Sequence, residues 1–372
     1  MLKINLLAYD RSLFIVSAIL LATGLVVLTS SSMALSHNQN GFAFFYAQRQ
    51  VIYMFMGLFA GYIFLVTPLY IWQKISRVLL LLSFLLLILV LIPGVGHEVN
   101  GARRWITFGF FNIQVSEIAK LCLLIYFADY VTRRHFEITS SGFGFIKALI
   151  IVSLMAGLLL LQPDFGTAVV ILSTILAVLF LAGAPLHYFI LMVIGLSGVL
   201  AALAVSAPYR WQRITSFLNP WADQYASGYQ LTQALIAFGR GEWFGLGLGS
   251  GIQKLFYLPE AHTDFIFAVL SEELGLIGAL IILFLYALLI YRGMHIAKVA
   301  LNGRRFFQAY LAYGITLCLA LQVIVSIGVN TGLLPTKGLT LPLMSYGGSS
   351  LIVTMIFIAL LLRISFENQN TN

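Results

Sequence analysis

The chain has 372 residues, of which 60% are hydrophobic and 9% are charged, and its formal net charge is +8. Soluble domains carry about 25% charged residues, so this composition excludes a soluble globular protein and predicts a membrane protein. The net charge does not indicate nucleic-acid binding. The basic residues are scattered between apolar runs, where they set the orientation of a membrane protein.

Apolar runs bounded by charges, glycine or proline predict ten membrane spans, since about 20 apolar residues cross a bilayer. These spans cover residues 12–29, 48–67, 77–93, 116–132, 147–162, 167–184, 187–206, 264–291, 307–330 and 349–363. We therefore predict an all-α, polytopic integral membrane protein. Residues 1–372 are expected to form a single membrane domain with one long extracytoplasmic loop at about 207–263.

The distribution of basic residues predicts the orientation. Ten spans place both termini on one side, and that side collects more than half of the 21 lysine and arginine residues. The positive-inside rule therefore predicts that both termini are cytoplasmic. Lys3 and Arg11 precede the first apolar run, as in a signal peptide, but the many later spans favour an uncleaved first helix.

Tyr257–Phe267, which reads YLPEAHTDFIF, sets a polar cluster directly before a long apolar run. Glu260, His262 and Asp264 are thereby predicted to lie at a membrane surface. Acids at such a depth are costly, so Asp264 is a functional candidate. The alternative interpretation is a helix cap, in which Thr263 caps the span and Asp264 is favoured at its positive end.

The predicted outer surface is basic around these few acids. The long loop also carries six glycines between Gly239 and Gly251, which permit either tight turns near a ligand or simple flexibility. The basic residues predicted on this surface include Arg103, Arg104, Arg210, Arg213, Lys254 and Lys337.

Polar residues also occur inside the predicted spans. Glu117 and Lys120 are three residues apart, which places them on one helix face where they can form an ion pair. This pair either packs helices together or lines a site. Asp164 lies in QPDFGT, where Pro163 and Gly166 interrupt a helix. Interrupted helices in membrane proteins expose backbone groups that line cavities.

Three classes of function remain open on these residues alone. The first is an enzyme that uses the surface acids. The second is a transporter or lipid flippase, which the polytopic architecture and interrupted helices favour; the missing repeat between the halves counts against it. The third is a non-catalytic scaffold, which would not require acids in YLPEAHTD.

Six motifs taken together resemble the SEDS family, to which FtsW and RodA proteins belong. They follow one another along nearly the whole chain: GARRWI, QVSEIAKL, QPDFGT, FGRGEWFGLGLG, YLPEAHTDFIF and PTKGLTLPLMSYGGSS. The alanine at position 261 resembles the pattern of the division-associated branch of this family. Val115 departs from the family pattern, in which proline usually precedes the Ser-Glu pair.

The resemblance implies a peptidoglycan glycosyltransferase that polymerises lipid II into β-1,4-linked strands and releases undecaprenyl diphosphate. Asp264 matches the essential aspartate of the family and is the expected catalytic residue. Lys337 matches a lysine of the last outer loop, and Glu117, Lys120 and Asp164 match polar positions of the central cavity. The outer-surface residues expected to join them in binding substrate are Arg103, Arg210, Arg213, Lys254, Glu260 and His262.

The chemistry of these residues agrees with glycosyl transfer. A single carboxylate can serve as the base for an acceptor hydroxyl, and basic side chains can stabilise the departing diphosphate. No Asp-x-Asp pair occurs in the sequence, so no metal-nucleotide clamp is expected. No metal site and no cofactor is predicted, although a divalent cation (Mg²⁺ or Mn²⁺) is compatible with a diphosphate donor.

The resemblance also implies partners and a location. The expected partners are lipid II, a class B penicillin-binding protein transpeptidase that cross-links the new strands, and other division proteins. The expected location is the bacterial cytoplasmic (inner) membrane at the division septum. Flipping of lipid II is the alternative activity that the family resemblance leaves open.

Overall fold

The computed structural model describes residues 9–99, 102–108, 111–140, 143–205, 217–226, 228–336 and 338–369. Most of these residues are helical. The helices are α1 (Arg11–Asn40), α2 (Phe45–Val66), α3 (Leu69–Lys74), α4 (Ser76–Leu89), α5 (Val115–Arg133), α6 (His135–Ser140), α7 (Phe143–Leu161), α8 (Phe165–Leu181), α9 (Leu186–Val205), α10 (Tyr229–Gly241), α11 (Ile266–Asn302), α12 (Phe306–Asn330) and α13 (Gly348–Gln369).

Each of the ten predicted spans overlaps one of these helices. Within the described residues, six helices are long and apolar enough to cross a membrane: α1, α2, α7, α11, α12 and α13. The helices α4 and α8 are apolar but shorter. The predicted all-α, polytopic fold class is therefore confirmed, while the number of crossings stays a prediction.

The centre of the bundle is built by α5, α12 and α13. The most apolar stretch of α13 is 89% buried, whereas that of α2 is only 22% buried. The helix α2 packs on α13 and leaves its other faces to lipid. A helix that is hydrophobic on all sides is stable only where its surroundings are apolar all round. Protein surrounds α13, and the helix has few polar positions to mark one face.

A small sheet covers one end of the bundle. The strands β1 (Gly96–Val99), β2 (Ala102–Phe108) and β3 (Phe111–Gln114) form an antiparallel sheet in the order β1-β2-β3. The motif GARRWI was predicted only as part of an outer loop. The sheet runs directly into α5, and Gln114 N donates a hydrogen bond to Ser349 Oγ of α13 at 2.8 Å.

The helix α11 is broken at Gly275, where φ is 69° and ψ is −171°. The amides of the two residues after Gly275 donate to the carbonyls of Glu242 and Trp243 at 2.9 and 3.1 Å. A Cβ atom on Gly245 would lie 2.2 Å from Glu273 O, so only glycine fits there. The glycine-rich stretch was predicted to turn near a ligand or to be flexible; here it packs backbone against backbone at a helix break.

The predicted long loop at 207–263 has structure of its own. It contains a 3-10 helix (Pro220–Asp223) and α10. Ala234 and Ala237 of α10 pack into a small apolar cluster with Phe265 and Ala268 at the start of α11. The loop is therefore folded against the segment that carries Asp264.

Candidate active site

Asp264 lies in a tight turn before α11 and does not cap the helix. The helix begins at Ile266, and Phe265 occupies the N-cap position without a side-chain cap bond. Thr263 Oγ1 donates instead to Glu260 Oε2 at 2.6 Å. The interpretation of Thr263 as the helix cap is therefore wrong, and the helix begins two residues after the predicted start of this span.

The first turn of α11 is capped from the end of α12. Asn330 Oδ1 accepts a hydrogen bond from Ala268 N at 3.1 Å, and Asn330 Nδ2 donates to Asp264 O at 2.8 Å. The first amides of any helix lack partners within it, so a buried start needs an external acceptor. The Asn330 side chain meets that need and fixes the backbone of Asp264. Nothing in the sequence analysis singled it out.

The segment after α12 holds the same turn from another side. Ser345 Oγ donates to Thr263 O at 2.6 Å, and Tyr346 N donates to His262 O at 3.0 Å. These bonds attach the LPLMSYGG part of the last motif to the HTD part of the central one. Both motifs therefore belong to one structural unit.

The Asp264 carboxylate rests against this segment. A Cβ atom on Gly338 would lie 2.8 Å from Asp264 Oδ2, and one on Gly166 would lie 3.1 Å from the side chain of Leu339. Gly338 thus packs against Asp264, and the Leu339 side chain packs against Gly166 of the QPDFGT turn. A larger residue at Gly338 would displace the acid.

Burial controls the proton affinity of Asp264. The pKa of its carboxyl group is raised from 3.8 to about 7, chiefly by burial and also by the nearby charge of Glu260, while Arg104 acts to lower it. The side chain keeps partial access to solvent, and no hydrogen-bond donor among the described residues reaches the carboxylate. A carboxyl group with a pKa near neutral pH can act as a general base.

The two adjacent arginines of β2 have different surroundings. Arg104 Nη1 lies 3.9 Å from Asp164 Oδ1, and its Nε donates to Gln162 O at 3.0 Å. Arg103 pairs instead with the exposed Glu98 at 3.0 Å. Successive side chains of a strand point to opposite faces, which separates these neighbours. Arg104, and not Arg103, therefore contributes charge near Asp264.

Asp164 has a local structural role. Its Oδ1 accepts a hydrogen bond from Thr167 N at 3.4 Å at the start of α8, while its buried Oδ2 has no hydrogen-bond partner in the described part of the chain. Asp164 thus caps a helix with one oxygen. The other oxygen, Oδ2, can accept a further hydrogen bond.

The remaining predicted residues fall into separate places. Glu117 and Lys120 form the predicted ion pair, with 2.9 Å between Lys120 Nζ and Glu117 Oε2, and both are buried. Lys254 Nζ pairs with Glu273 at 2.5 Å beside the break in α11. His262 packs between the rings of Tyr46 and Tyr346, and burial lowers its pKa. The predicted residues that lie outside the described residues are Arg210, Arg213 and Lys337.

The residues brought together at the Asp264 end are not arranged as a metal centre. Within the described ranges, no group of three or more His, Cys, Asp or Glu side chains could hold a metal ion. Glu260 is the carboxylate whose charge raises the pKa of Asp264, and its Oε2 accepts a hydrogen bond from the Thr263 hydroxyl.

The fold and the site define a class: a polytopic helical membrane protein with an acid of raised pKa in a turn at one end. A family model described as "cell cycle protein", of the FtsW, RodA and SpoVE type, matches residues 10–370. The chain belongs to this family.

Relatives and solved structures agree with this assignment. A probable peptidoglycan glycosyltransferase FtsW of Coxiella burnetii is 52% identical over 363 residues, which cover 98% of each chain. One from Legionella pneumophila is 51% identical over 361 residues, or 97% of this chain and 92% of the relative. A chain of a peptidoglycan synthase complex has a TM-score of 0.80 at 30% identity and covers 98% of this chain and 99% of its own. The rod shape determining protein RodA of Thermus thermophilus has a TM-score of 0.73 at 30% identity with the same coverage.

Proposed function

We propose that the chain is a peptidoglycan glycosyltransferase that polymerises lipid II into β-1,4-linked glycan strands during septal wall synthesis. The names of relatives that match nearly the whole chain support this activity. The observation that carries the residue assignment is Asp264, an acid with a pKa of about 7 held in a rigid turn. A base whose pKa lies near the working pH is partly ionised at that pH and still accepts a proton readily.

In the proposed reaction, Asp264 accepts the proton of the acceptor hydroxyl as that oxygen attacks the anomeric carbon of the donor sugar. A new carbon–oxygen bond forms while the bond to the diphosphate breaks. Undecaprenyl diphosphate leaves with the bonding electrons, and attack from the opposite face inverts the anomeric carbon to give the β link. The proton on Asp264 then returns to water.

Basic side chains are proposed to stabilise the departing diphosphate, since charge-assisted hydrogen bonds to phosphate oxygens are strong. Arg104 is the described cation whose charge acts on Asp264. Lys337, Arg210 and Arg213 stay proposals from the sequence. A divalent cation carried in with the diphosphate is compatible with this arrangement, and assays with EDTA, Mg²⁺ and Mn²⁺ decide whether one is required.

We further propose a class B penicillin-binding protein as partner, together with other division proteins, and no nucleic-acid partner. A structural neighbour whose description concerns coordination of polymerization and crosslinking supports the first proposal. The proposed location is the bacterial inner membrane at the septum, with both termini cytoplasmic. Cysteines placed at Tyr225 and Asn302 should then label from opposite sides of the membrane.

Reconstitution separates this function from its alternatives. The purified protein and its cognate transpeptidase are placed in vesicles with fluorescent lipid II, and both glycan polymer and lipid II translocation are measured. Polymer is the expected product. Translocation without polymer would favour the flippase, and neither activity would favour the scaffold. Full polymer yield without the transpeptidase would contradict regulation by that partner.

A further inference from the structure

Residues 242–257, here called the aromatic loop, show an inverted pattern of burial. Its large apolar side chains are exposed: Phe244 is 80% exposed, Trp243 64% and Phe256 57%. Among its polar residues, Gln253 and Lys254 are only 4% and 9% exposed, while Glu242 and Ser250 are exposed. Loops in contact with water show the opposite pattern, and an exposed apolar patch of this kind marks a surface that something covers.

The aromatic loop is fixed in place by its backbone and by two buried acids. Leu246 N and Gly247 N donate to the carbonyls of Glu272 and Glu273, both at 3.0 Å. The carboxylate of Glu272 accepts from Ile252 N at 3.0 Å. The loop therefore presents its apolar side chains from a fixed base, and several of its backbone amides are satisfied from within the protein, which favours an apolar environment.

The position of the loop along the bundle follows from two contacts between α1 and α11. Asp10 pairs with Arg292 at 2.5 Å, and Ser30 Oγ donates to Glu273 Oε1 at 2.7 Å. At 1.5 Å per residue, these contacts are separated by about 30 Å along α1 and about 28 Å along α11. Arg11, directly after Asp10, is the one charged residue that the two helices carry between these contacts. A hydrocarbon layer is about 30 Å thick.

With α1 and α11 crossing the membrane, a layer of this thickness would have its two edges at the two contacts, and the aromatic loop would lie at the edge on the Asp264 side. Tryptophan, tyrosine and other aromatic side chains are favoured at this depth, where an apolar ring meets polar headgroups. The segment Ile266–Leu274 separates Gly275 from the Asp264 turn. Asp264 thus lies no more than about 14 Å beyond the same edge.

We propose that the aromatic loop inserts its apolar side chains into the lipid leaflet on the Asp264 side, so that phospholipid covers it. The predicted extracytoplasmic loop is then partly a membrane-embedded anchor. This inference requires only that α1 and α11 cross the membrane. It does not depend on the reaction proposed above.

Depth-dependent quenching tests the insertion. Single cysteines replace Phe244, Phe256 and, as a matched control, Tyr225, which is 87% exposed in the turn at the opposite end of α10. The full chain, labelled with an environment-sensitive fluorophore, is reconstituted into phosphatidylcholine–phosphatidylglycerol vesicles. The native Cys122 and Cys318 are buried, and labelling of the unsubstituted chain measures their background.

The expected result is loss of iodide quenching at 244 and 256 together with quenching by phospholipid spin-labelled near the headgroup. Position 225 should show the reverse. Equal iodide quenching at all three positions would place the loop in water and overturn the proposal. Protection from iodide without quenching by lipid would show a protein cover, such as a second copy, and would also overturn it.

Native tryptophan fluorescence supplies a second measurement if a cysteine variant does not fold. Wild type and Trp243→Phe are compared in vesicles that contain brominated phospholipid. The proposal expects a quenched component that disappears in Trp243→Phe. The same quenching in both proteins would contradict insertion of Trp243.

Discussion

The turn that carries Asp264 and the break in α11 lie close together in the chain, yet the acids at the two places have opposite electrostatic surroundings. Glu272 Oε1 lies 3.5 Å from Arg240 Nε, and Glu273 Oε1 lies 2.5 Å from Lys254 Nζ. Asp264 has no such partner among the described residues, and its influential neighbour Glu260 is another acid. Buried acids with cations hold structure together, whereas an unmatched acid with a raised pKa is a candidate for chemistry.

The largest expected effect is the loss of polymerisation in Asp264→Asn. The amide keeps the size of the side chain but cannot accept the proton, and removal of a general base costs about 10²–10⁴ in rate. Polymer formed from lipid II is measured with the transpeptidase present. Protein level and transpeptidase binding should remain normal.

Glu98→Gln is the control for this variant, because Glu98 is an exposed acid in the sheet, paired only with Arg103. It should polymerise at the wild-type rate. Near-normal polymerisation by well-folded Asp264→Asn would remove the acid from the mechanism.

Glu273→Gln should act on stability. It leaves Lys254 buried without its counter-charge, and breaking a buried pair in this way costs about 3–5 kcal/mol. The free energy of unfolding in detergent is measured. Glu98→Gln breaks an exposed pair and should cost about 0–1 kcal/mol.

The double variant Glu273→Gln with Lys254→Met tests the reason for that loss. It removes both charges, so it should recover much of the stability. If Glu273→Gln is as mild as Glu98→Gln, the pairing at the break is not a structural requirement.

Asn330→Ala should have a smaller effect on stability and a selective effect on rate. It leaves Ala268 N without its acceptor and frees Asp264 O, and an unsatisfied buried group costs about 1–3 kcal/mol. We expect kcat to fall more than KM rises, because the acid is displaced while the substrate contacts remain. A change in KM alone would contradict this positioning role.

The smallest effect is a shift in the pH profile. Asp264 must be ionised to act as a base, so the rate should rise with pH through about 7, the raised pKa of its carboxyl group. Glu260→Gln removes an influence that raises this pKa and should move the rise to lower pH. A profile unchanged by Glu260→Gln would argue that another group titrates.

Stability should respond to pH with the opposite sign. The folded protein binds the Asp264 proton more tightly than the unfolded chain, whose pKa is near 3.8. Stability is therefore lost as pH rises from about 4 to about 7. Asp264→Asn should lack this loss, and melting temperatures of the two proteins across that window measure it.

Local patterns in the sequence predicted the fold well. Membrane spans are readable because each depends on a continuous apolar run, and the Glu117–Lys120 pair depends only on spacing within one helix. Asp264 was also predicted, since an acid before an apolar run is costly wherever the chain places it.

The surroundings of Asp264 could not be predicted, because they depend on contacts between distant segments. Asn330 and Ser345 reach the turn from positions far along the chain. The choice between Arg103 and Arg104 depends on which face of β2 meets the QPDFGT turn. The pairing of Lys254 with Glu273 likewise depends on the break in α11, which the sequence does not reveal.

The hydrogen bond between Asn330 and Asp264 joins the open end of the hairpin formed by α11 and α12. Only three residues connect α11 to α12 at one end of this hairpin, and the Asn330 side chain joins the two helices at the other end. A slip by one helical turn would displace the helices by about 5.4 Å and break the hydrogen bonds of that side chain to Asp264 O and Ala268 N. The hairpin can therefore tilt as one body, but α11 and α12 cannot slide past each other. Asp264 moves with both helices.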